Sequence, residues 1–242
     1  MARVAVVTGG TRGIGLAITQ ELHAKGYKVA ATYAGNDEAA KKCAEQFPGV
    51  KCYKFDVGSY AAAEAGLKQI EADLGPVDVL VNNAGITRDA MLYRMKPEQW
   101  AEVMRTNIDS LFNMTRPIIE GMRTRGFGRI VNISSINGQK GQMGQSNYSA
   151  AKAAVIGFTK ALAQEGASKG ITVNCIAPGY VDTEMVQAVP ADVLAKIVAG
   201  IPVGRLGKAD EIARCVSWLS ADDNGFITGA TIAINGGQYI AT

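Results

Sequence analysis

A regular alternation of short apolar runs with longer helical patterns constrains the fold of this chain more than any other feature. The first run, residues 4–7, is apolar on both faces, which is typical of a strand buried in a parallel sheet. By this criterion we predict seven strands, at residues 4–7, 29–32, 52–55, 77–81, 130–133, 172–176 and 231–234.

Helical patterns separate these strands, at residues 14–25, 37–46, 60–74, 97–123, 147–169 and 209–219. Strands that alternate with helices imply right-handed crossovers. The predicted fold is therefore α/β, a Rossmann-type, doubly wound, seven-stranded parallel sheet flanked by helices. We find no linker or repeat and expect residues 1–242 to form a single domain. Residues 181–206, which contain two prolines, interrupt the rhythm and are expected to form a flap on the substrate side.

Composition limits the functional classes that remain. A hydrophobic content of 48% with 19% charged residues is typical of a folded protein. The net charge of +3 is small and evenly spread, so we expect no nucleic-acid partner. We expect no membrane association, because no apolar run is long enough to span a bilayer. The N-terminus enters the first predicted strand at once, which leaves no room for a signal peptide and indicates a cytoplasmic protein.

Cysteine and histidine usage argues against several kinds of site. The four cysteines form no C-x-x-C pair, and we expect them to be free thiols in a reducing compartment. A single histidine, His23, argues against a zinc site and against a Ser/His/Asp hydrolase. We therefore expect no metal ion.

A glycine-rich turn follows the first predicted strand and leads directly into a helix. Glycines at 9, 13 and 15 allow a tight turn and the close approach of a pyrophosphate to the helix N-terminus. No G-K-[ST] follows, which argues against a nucleoside triphosphatase. We expect cofactor contacts from Gly9, Thr11, Arg12, Gly13, Ile14 and Gly15.

The end of the second predicted strand indicates which dinucleotide binds. It reads Thr-Tyr-Ala-Gly-Asn from residue 32, without the acidic residue that would accept the ribose hydroxyls of NAD. Arg12 in the glycine turn can pair with a 2′-phosphate, and Tyr33 is expected beside it. Lys41 and Lys42 are less certain contributors. The sequence therefore favours NADPH/NADP+.

A second informative stretch runs from Ser135 to Lys152. Tyr148 and Lys152 are four residues apart, so on a helix they share a face. A phenol beside an ammonium, with the Ser135 hydroxyl nearby, can protonate and deprotonate an oxygen. From this stretch alone, a Gly- and Gln-rich loop followed by an ordinary surface helix is an equally good interpretation.

Five motifs lie at residues 8–15, 82–85, 135, 148–152 and 178–179. Their order resembles that of the short-chain dehydrogenase/reductase family, and the resemblance extends from residue 3 to about residue 237. The resemblance implies an NAD(P)-dependent oxidoreductase, usually a homotetramer.

The resemblance also implies roles for individual residues. Asn107, Ser135, Tyr148 and Lys152 fall on the catalytic tetrad of the family. Tyr148 would protonate the substrate oxygen, Ser135 would hydrogen-bond that oxygen, and Lys152 would lower the pKa of Tyr148 and hold the ribose. Asn107 would hold a water that relays protons to Lys152. Further cofactor contacts implied by the family are Asp56, Val57, Asn83, Ala84, Gly85, Pro178, Gly179, Val181 and Thr183, with Tyr148 and Lys152.

Residues 82–89 and 137–145 resemble, within this family, the reductases of 3-oxoacyl thioesters. This implies reduction of acetoacetyl-CoA by NADPH to (R)-3-hydroxybutyryl-CoA, for polyhydroxybutyrate synthesis. Expected substrate contacts are Asp89, Arg94, Ser135, Gln142, Met143, Gln145, Tyr148 and Tyr180, with Arg94 reaching a CoA phosphate.

Two alternatives remain open from the sequence. The thioester can instead be carried on acyl carrier protein, as in fatty acid synthesis, which would require a basic surface at the mouth of the site. Candidates for that surface are Arg88, Arg94, Arg123, Arg125, Arg129 and Lys140. A nucleotide-sensing protein without catalysis is the second alternative, and the intact tetrad argues against it.

Overall fold

A computed structural model describes residues 2–187 and 189–240, without the side chain of Met185. Its sheet has seven strands in the order β3-β2-β1-β4-β5-β6-β7, and each neighbouring pair is parallel. The strands are β1 Val4–Val7, β2 Lys28–Tyr33, β3 Lys51–Lys54, β4 Val77–Asn82, β5 Gly128–Ile133, β6 Ile171–Pro178 and β7 Thr231–Ile234. The predicted Rossmann-type fold is confirmed.

Helices connect the strands and cover both faces of the sheet. They are α1 Gly13–Ala24, α2 Asp37–Gln46, α3 Tyr60–Leu74, α4 Pro97–Met104, α5 Ser110–Arg125, α6 Ile136–Lys140, α7 Ser146–Gly166, α8 Glu184–Gln187, α9 Ala191–Ala199 and α10 Ala209–Ser220. The helix predicted at 97–123 is divided into α4 and α5 by a π-helical turn, Arg105–Asp109. Short 3₁₀ turns occur at Leu92–Arg94 and Ala167–Lys169.

One element within the Ser135 to Lys152 stretch differs from its prediction. The segment expected to be a loop begins with the short helix α6, whose N-cap is Ser135. A helix of this length has too few turns to give a periodic pattern, and Gly138 lowers its helix propensity. The glycine has a packing reason, because a Cβ there would lie 2.6 Å from the Lys152 carbonyl carbon. α6 therefore packs directly on α7.

The sheet topology creates a crevice at the carboxyl ends of β1 and β4. β1 lies between β2 and β4, so the chain reverses its direction of winding at that point. Each face of the sheet has its own apolar layer. Ile18, Leu22 and Val216 from α1 and α10 are fully buried on one face, and Leu67 and Met114 from α3 and α5 are buried on the other. These layers hold the strand ends rigidly around the crevice.

The segment predicted as a flap carries α8 and α9 and is tied to the domain where it begins and ends. Val181 forms a parallel bridge with Gly207, and the Asp182 N–H donates to the Gly207 carbonyl at 2.8 Å. The Val203 N–H donates to the Gly236 carbonyl at 3.1 Å. Between these anchors the segment lies after the carboxyl end of β6. That this segment acts as a flap on the substrate side remains a prediction.

Candidate active site

The glycine turn leaves the backbone at the start of α1 free of side chains that would block a ligand. Gly9 and Gly13 have positive φ angles of 62° and 53°, a conformation that favours glycine. A Cβ on Gly15 would lie 2.1 Å from the Gly9 carbonyl oxygen. α1 has neither a side-chain cap nor an acidic residue in its first turn. Its unpaired N–H groups and positive dipole end therefore suit a dinucleotide pyrophosphate, which the bare turn can admit closely.

Thr8 fastens this turn to the end of β4. Its buried hydroxyl accepts the N–H groups of Asn83 and Ala84, each at 2.9 Å. Asn83 returns a side-chain hydrogen bond to the Thr8 carbonyl at 2.8 Å. These hydrogen bonds therefore hold together the glycine turn and the segment that follows β4, both of which are predicted to contact the cofactor. Thr8 was missing from the predicted site residues; its position directly before Gly9 is the only local signal for it.

The residues expected near the adenosine lie around the carboxyl ends of β2 and β3. Asp37 forms an ion pair with Lys54 at 2.8 Å, and burial followed by the nearby Asp37 raises the pKa of Tyr33. Arg12 is exposed and has no ion-pair partner within the described part of the chain. Its guanidinium therefore remains available to an anion.

Lys41 and Lys42, the less certain contributors, are paired with acids on their own helix. Lys41 lies 3.9 Å from Glu45 and Lys42 lies 3.5 Å from Glu38. Farther along the crevice, Asp56 pairs with Arg105 and accepts the Gly58 N–H at 2.8 Å. The backbone carbonyl of Val57 accepts a hydrogen bond from Asn113 at 2.9 Å.

Asn107 lies in the π-helical turn and is fully buried. Its amide exchanges hydrogen bonds with the backbone of Ile86, accepting from the N–H at 3.2 Å and donating to the carbonyl at 2.9 Å. A Cβ on Gly85 would lie 2.6 Å from Asn107 Oδ1 and 3.4 Å from Lys152 Nζ. The structure therefore brings Asn107 and Lys152 to the same glycine, from two elements distant in sequence.

Tyr148 and Lys152 share a face of α7, as their spacing predicts. Lys152 is 4% exposed, and its ammonium donates to the Ile133 carbonyl at 2.8 Å. Burial lowers the pKa of Lys152 to about 8. Burial also raises the pKa of Tyr148 above its usual value, while the nearby Ser135 hydroxyl lowers it and the charge of Asp89 raises it.

The expected effect of Lys152 on the pKa of Tyr148 stays a prediction. Among the protein's own groups, desolvation of the phenol raises that pKa more than the Ser135 hydroxyl lowers it.

The predicted substrate residues meet beside Ser135. Gln145 is hydrogen-bonded at both ends of its amide, with Oε1 accepting from Asn137 at 2.9 Å and Nε2 donating to Asp89 at 2.8 Å. Gln142 accepts from Lys140 at 3.0 Å. These two glutamines therefore retain only their remaining donor and acceptor positions for a ligand.

Three other predicted substrate residues differ in exposure. Met143 is 81% exposed. Tyr180 is half-buried, and burial followed by the nearby charge of Asp89 raises its pKa. Arg94 is exposed and its guanidinium lies 5.1 Å from the centre of the Tyr93 ring. Asp89 thus lies close enough to influence both Tyr148 and Tyr180.

The residues that follow β6 complete the crevice. The Gly179 N–H donates to the Ile234 carbonyl at 2.9 Å, directly after Pro178, the last residue of β6. The methyl group of Thr183 lies 3.8 Å from the position of a Cβ on Gly13. Val181, which is buried, bridges to Gly207 between them. The segment after β6 therefore reaches the glycine turn across the crevice.

Three of the six residues expected to form a basic surface at the mouth of the site lie elsewhere. α5 runs antiparallel to the strands, so its C-terminal arginines lie at the amino edge of the sheet. Arg125 lies 3.8 Å from Asp78 at the start of β4, and Arg123 donates to the Glu165 carbonyl at the end of α7. Arg129 is buried, with its guanidinium donating to the carbonyls of Ala221 and Asp222.

Of the remaining candidates, Arg88 is neutralised by Glu102 at 2.7 Å. The other two candidates, Arg94 and Lys140, are exposed in the segments that follow β4 and β5.

Within residues 2–187 and 189–240, no group of His, Cys, Asp and Glu could hold a metal ion. None of the helices described is long and apolar enough to cross a membrane.

Comparison with known proteins agrees with this geometry. A family model described as short chain dehydrogenase matches residues 3–194. The chain is 68% identical to an acetoacetyl-CoA reductase of Rhizobium meliloti (strain 1021) over all of both proteins. It is 65% identical to an acetoacetyl-CoA reductase of Shinella zoogloeoides over 99% of each protein. A 3-oxoacyl-[acyl-carrier-protein] reductase of Haemophilus influenzae is 45% identical over 99% of each.

Proposed function

The chain belongs to the short-chain dehydrogenase family, and we propose that it reduces the 3-oxo group of acetoacetyl-CoA with NADPH to give (R)-3-hydroxybutyryl-CoA. One observation carries the chemistry: Ser135, Tyr148 and Lys152 meet at the carboxyl edge of the sheet, which also carries the glycine turn. Relatives named acetoacetyl-CoA reductase, 61–68% identical over nearly the full chain, support the substrate. The product suits polyhydroxybutyrate synthesis.

The crevice is proposed to hold the dinucleotide along its whole length. The N–H groups at the start of α1 would bind the pyrophosphate, and the free guanidinium of Arg12 would bind the 2′-phosphate beside Tyr33. When bound, the reduced nicotinamide supplies the hydride for the 3-oxo carbon. The other proposed contacts are Gly9, Thr11, Gly13, Ile14, Gly15, Asp56, Val57, Asn83, Ala84, Gly85, Pro178, Gly179, Val181 and Thr183.

Tyr148 is proposed to donate the proton to the substrate oxygen. Its raised pKa supports this role, because the phenol stays protonated at neutral pH and reduction requires an acid. The hydroxyl of Ser135 would donate to the same oxygen as negative charge develops there.

Lys152 is proposed to return a proton to Tyr148 after each turnover. A pKa of about 8 lies close to neutral pH, so the ammonium can both release and recover a proton. Asn107 would hold the relay water against Gly85, where its Oδ1 retains one free lone pair beside Lys152.

Asp89, Gln142, Met143, Gln145 and Tyr180 are proposed to surround the acyl thioester beside Ser135. Arg94, exposed on the loop after β4, is proposed to bind a phosphate of CoA. The carrier-protein alternative is less well supported, since three of the arginines that would bind an acidic carrier lie at the opposite edge of the sheet.

A substrate comparison tests the proposed function. Purified protein should oxidise NADPH with acetoacetyl-CoA at a far higher kcat/KM than with acetoacetyl carried on acyl carrier protein. The opposite ranking would overturn the substrate assignment. Arg94→Ala should lower kcat/KM for acetoacetyl-CoA and leave that for acetoacetyl-N-acetylcysteamine unchanged, because the latter lacks the nucleotide. Equal losses on both thioesters would remove the proposed role of Arg94.

We further propose a homotetramer built on the exposed groove between α5 and α7. Phe112, 54% exposed, lies on this groove with Ile119, Phe158 and Leu162. Apolar surface of this kind is typical of subunit interfaces. Light scattering after gel filtration should give four times the subunit mass of 25.4 kDa, and Phe112→Asp should reduce it. The free thiols suit a cytoplasmic location, which we also propose.

A further inference from the structure

We propose that Asn137 is a positioning residue for the hydroxyl of Ser135, and that Asp89 holds it in place through the amide of Gln145. This inference rests on the proposed function, because it concerns how Ser135 meets the substrate oxygen. It concerns three side chains that lie on different segments of the chain: the loop after β4, the start of α6 and the residue before α7.

The first step is the hydrogen bond between Asn137 and Ser135. The backbone N–H of Asn137 donates to Ser135 Oγ at 3.1 Å, as an N-cap interaction at the start of α6. Because Oγ accepts this bond, its own proton is directed elsewhere. That proton is then free to point toward Tyr148, whose pKa the Ser135 hydroxyl lowers against the larger effect of burial. The orientation of the Ser135 hydroxyl therefore depends on where the first turn of α6 is held.

The second step is the side-chain network that holds this turn. Asn137 Nδ2 donates to Gln145 Oε1 at 2.9 Å, and Gln145 Nε2 donates to Asp89 Oδ2 at 2.8 Å. An ionised carboxylate can only accept hydrogen bonds. Asp89 therefore fixes the orientation of the Gln145 amide, and the Gln145 amide fixes that of Asn137. All donors in the network point away from Asn137 and toward Asp89.

The third step is the cost in stability of the hydrogen-bond direction in this network. Asn137 is 8% exposed, and its Oδ1 is buried without a hydrogen-bond partner among the described residues. An orphan acceptor destabilises a folded protein, and a small apolar residue at this position would avoid it. A side chain that is retained at a cost in stability beside the catalytic serine is consistent with a role in function.

The polarity of the network gives a sharp test. In Asn137→Asp, the side chain of residue 137 loses its hydrogen-bond donor. The Gln145 amide then faces a carboxylate at each end and has only one NH₂ group to donate. We expect kcat to fall roughly 10- to 100-fold, as for a displaced catalytic group. In the double variant Asn137→Asp with Asp89→Asn, the Gln145 amide can reverse, and a single carboxylate again ends the network. We expect most of the lost kcat to return.

Gln164→Glu is the matched control. It converts an exposed amide into a carboxylate on α7, outside the network, and should leave kcat close to that of the wild type. Thermal unfolding of every variant separates loss of fold from loss of position. Unchanged kcat in Asn137→Asp overturns the proposal. An equal effect of Asp89→Asn on kcat in the wild-type protein and in the Asn137→Asp variant also overturns the proposal. The proposed network requires that the two substitutions compensate each other.

A second readout needs no substrate and therefore remains valid if the proposed function fails. Asn137→Ala removes the anchor without adding charge, so the hydrogen bond from Ser135 to Tyr148 should weaken and the pKa of Tyr148 should rise. Ultraviolet titration of the phenols, with Tyr148→Phe as the blank, measures this shift. An unchanged Tyr148 pKa in folded Asn137→Ala protein would refute the positioning role. Absence of wild-type turnover with acetoacetyl-CoA, by contrast, refutes only the proposed function.

Discussion

The ammonium nitrogen of Lys152 lies 5.7 Å from the centre of the Tyr148 ring while it donates a hydrogen bond to the Ile133 carbonyl. The two side chains share a face of α7, and each has a pKa moved by burial, that of Lys152 downward and that of Tyr148 upward. Desolvation penalises the charged form of both groups. Both shifts therefore favour the uncharged forms, and Lys152, still protonated at pH 7, lies close enough to its pKa to exchange a proton.

Tyr148→Phe should lower kcat by about 10²- to 10⁴-fold, because it removes the only proposed proton donor to the substrate oxygen. The measurement is the rate of NADPH oxidation with acetoacetyl-CoA. NADPH affinity, followed by fluorescence titration, should stay near the wild-type value. Turnover that survives this substitution would mean that another group donates the proton.

Arg12→Ala should weaken NADPH binding about 10- to 100-fold, since a charge-assisted hydrogen bond to the 2′-phosphate is lost. NADH binding should change little, because NADH lacks that phosphate. Lys42→Ala is the matched control: Lys42 is already paired with Glu38, so its removal should leave the ratio of the two affinities unaltered. Equal losses for both cofactors in Arg12→Ala would contradict the assignment.

Asp89→Asn should move the alkaline limb of the kcat profile to lower pH. The negative charge of Asp89 raises the pKa of Tyr148, in addition to the larger effect of burial, so removing the charge lowers that pKa. Reduction requires the protonated phenol and is lost as pH rises through its pKa, so the loss should begin earlier. A limb that stays in place would contradict a direct effect of this charge on Tyr148, and a limb that moves to higher pH would indicate that Asp89 acts mainly through Gln145 and Asn137.

Lys152→Met should abolish efficient turnover and yet stabilise the fold at pH 7. The folded-state pKa of Lys152, about 8, is below its ordinary value of 10.5, so the unfolded state binds the proton more tightly. Wild-type stability therefore rises between about pH 8 and pH 10.5 and carries its full penalty below pH 8. That penalty is about 3 kcal/mol, at about 1.4 kcal/mol for each pH unit.

Thermal melts of both proteins at neutral and alkaline pH measure this difference. The advantage of Lys152→Met over the wild type should be largest at pH 7 and should shrink above pH 8. A variant that is less stable at neutral pH, with no dependence on pH, would indicate that the buried ammonium carries no such cost.

Local patterns in the sequence were sufficient for the fold and for the relative placement of two proposed catalytic side chains. The helices at 37–46 and 60–74 and the strands at 4–7 and 231–234 have the predicted bounds, because apolar periodicity and turn residues act over a few residues. The same holds for the spacing of Tyr148 and Lys152, which a helix converts directly into a shared face.

Only the tertiary structure decided what depends on residues distant in the chain. The hydrogen bonds from Asn83 to Thr8 and from Gln145 to Asp89 join positions 75 and 56 residues apart, and neither leaves a periodic signal. The direction of α5 placed its C-terminal arginines at the edge away from the site. Burial by these assembled elements set the upward direction of the Tyr148 pKa, because desolvation depends on everything that packs around a group.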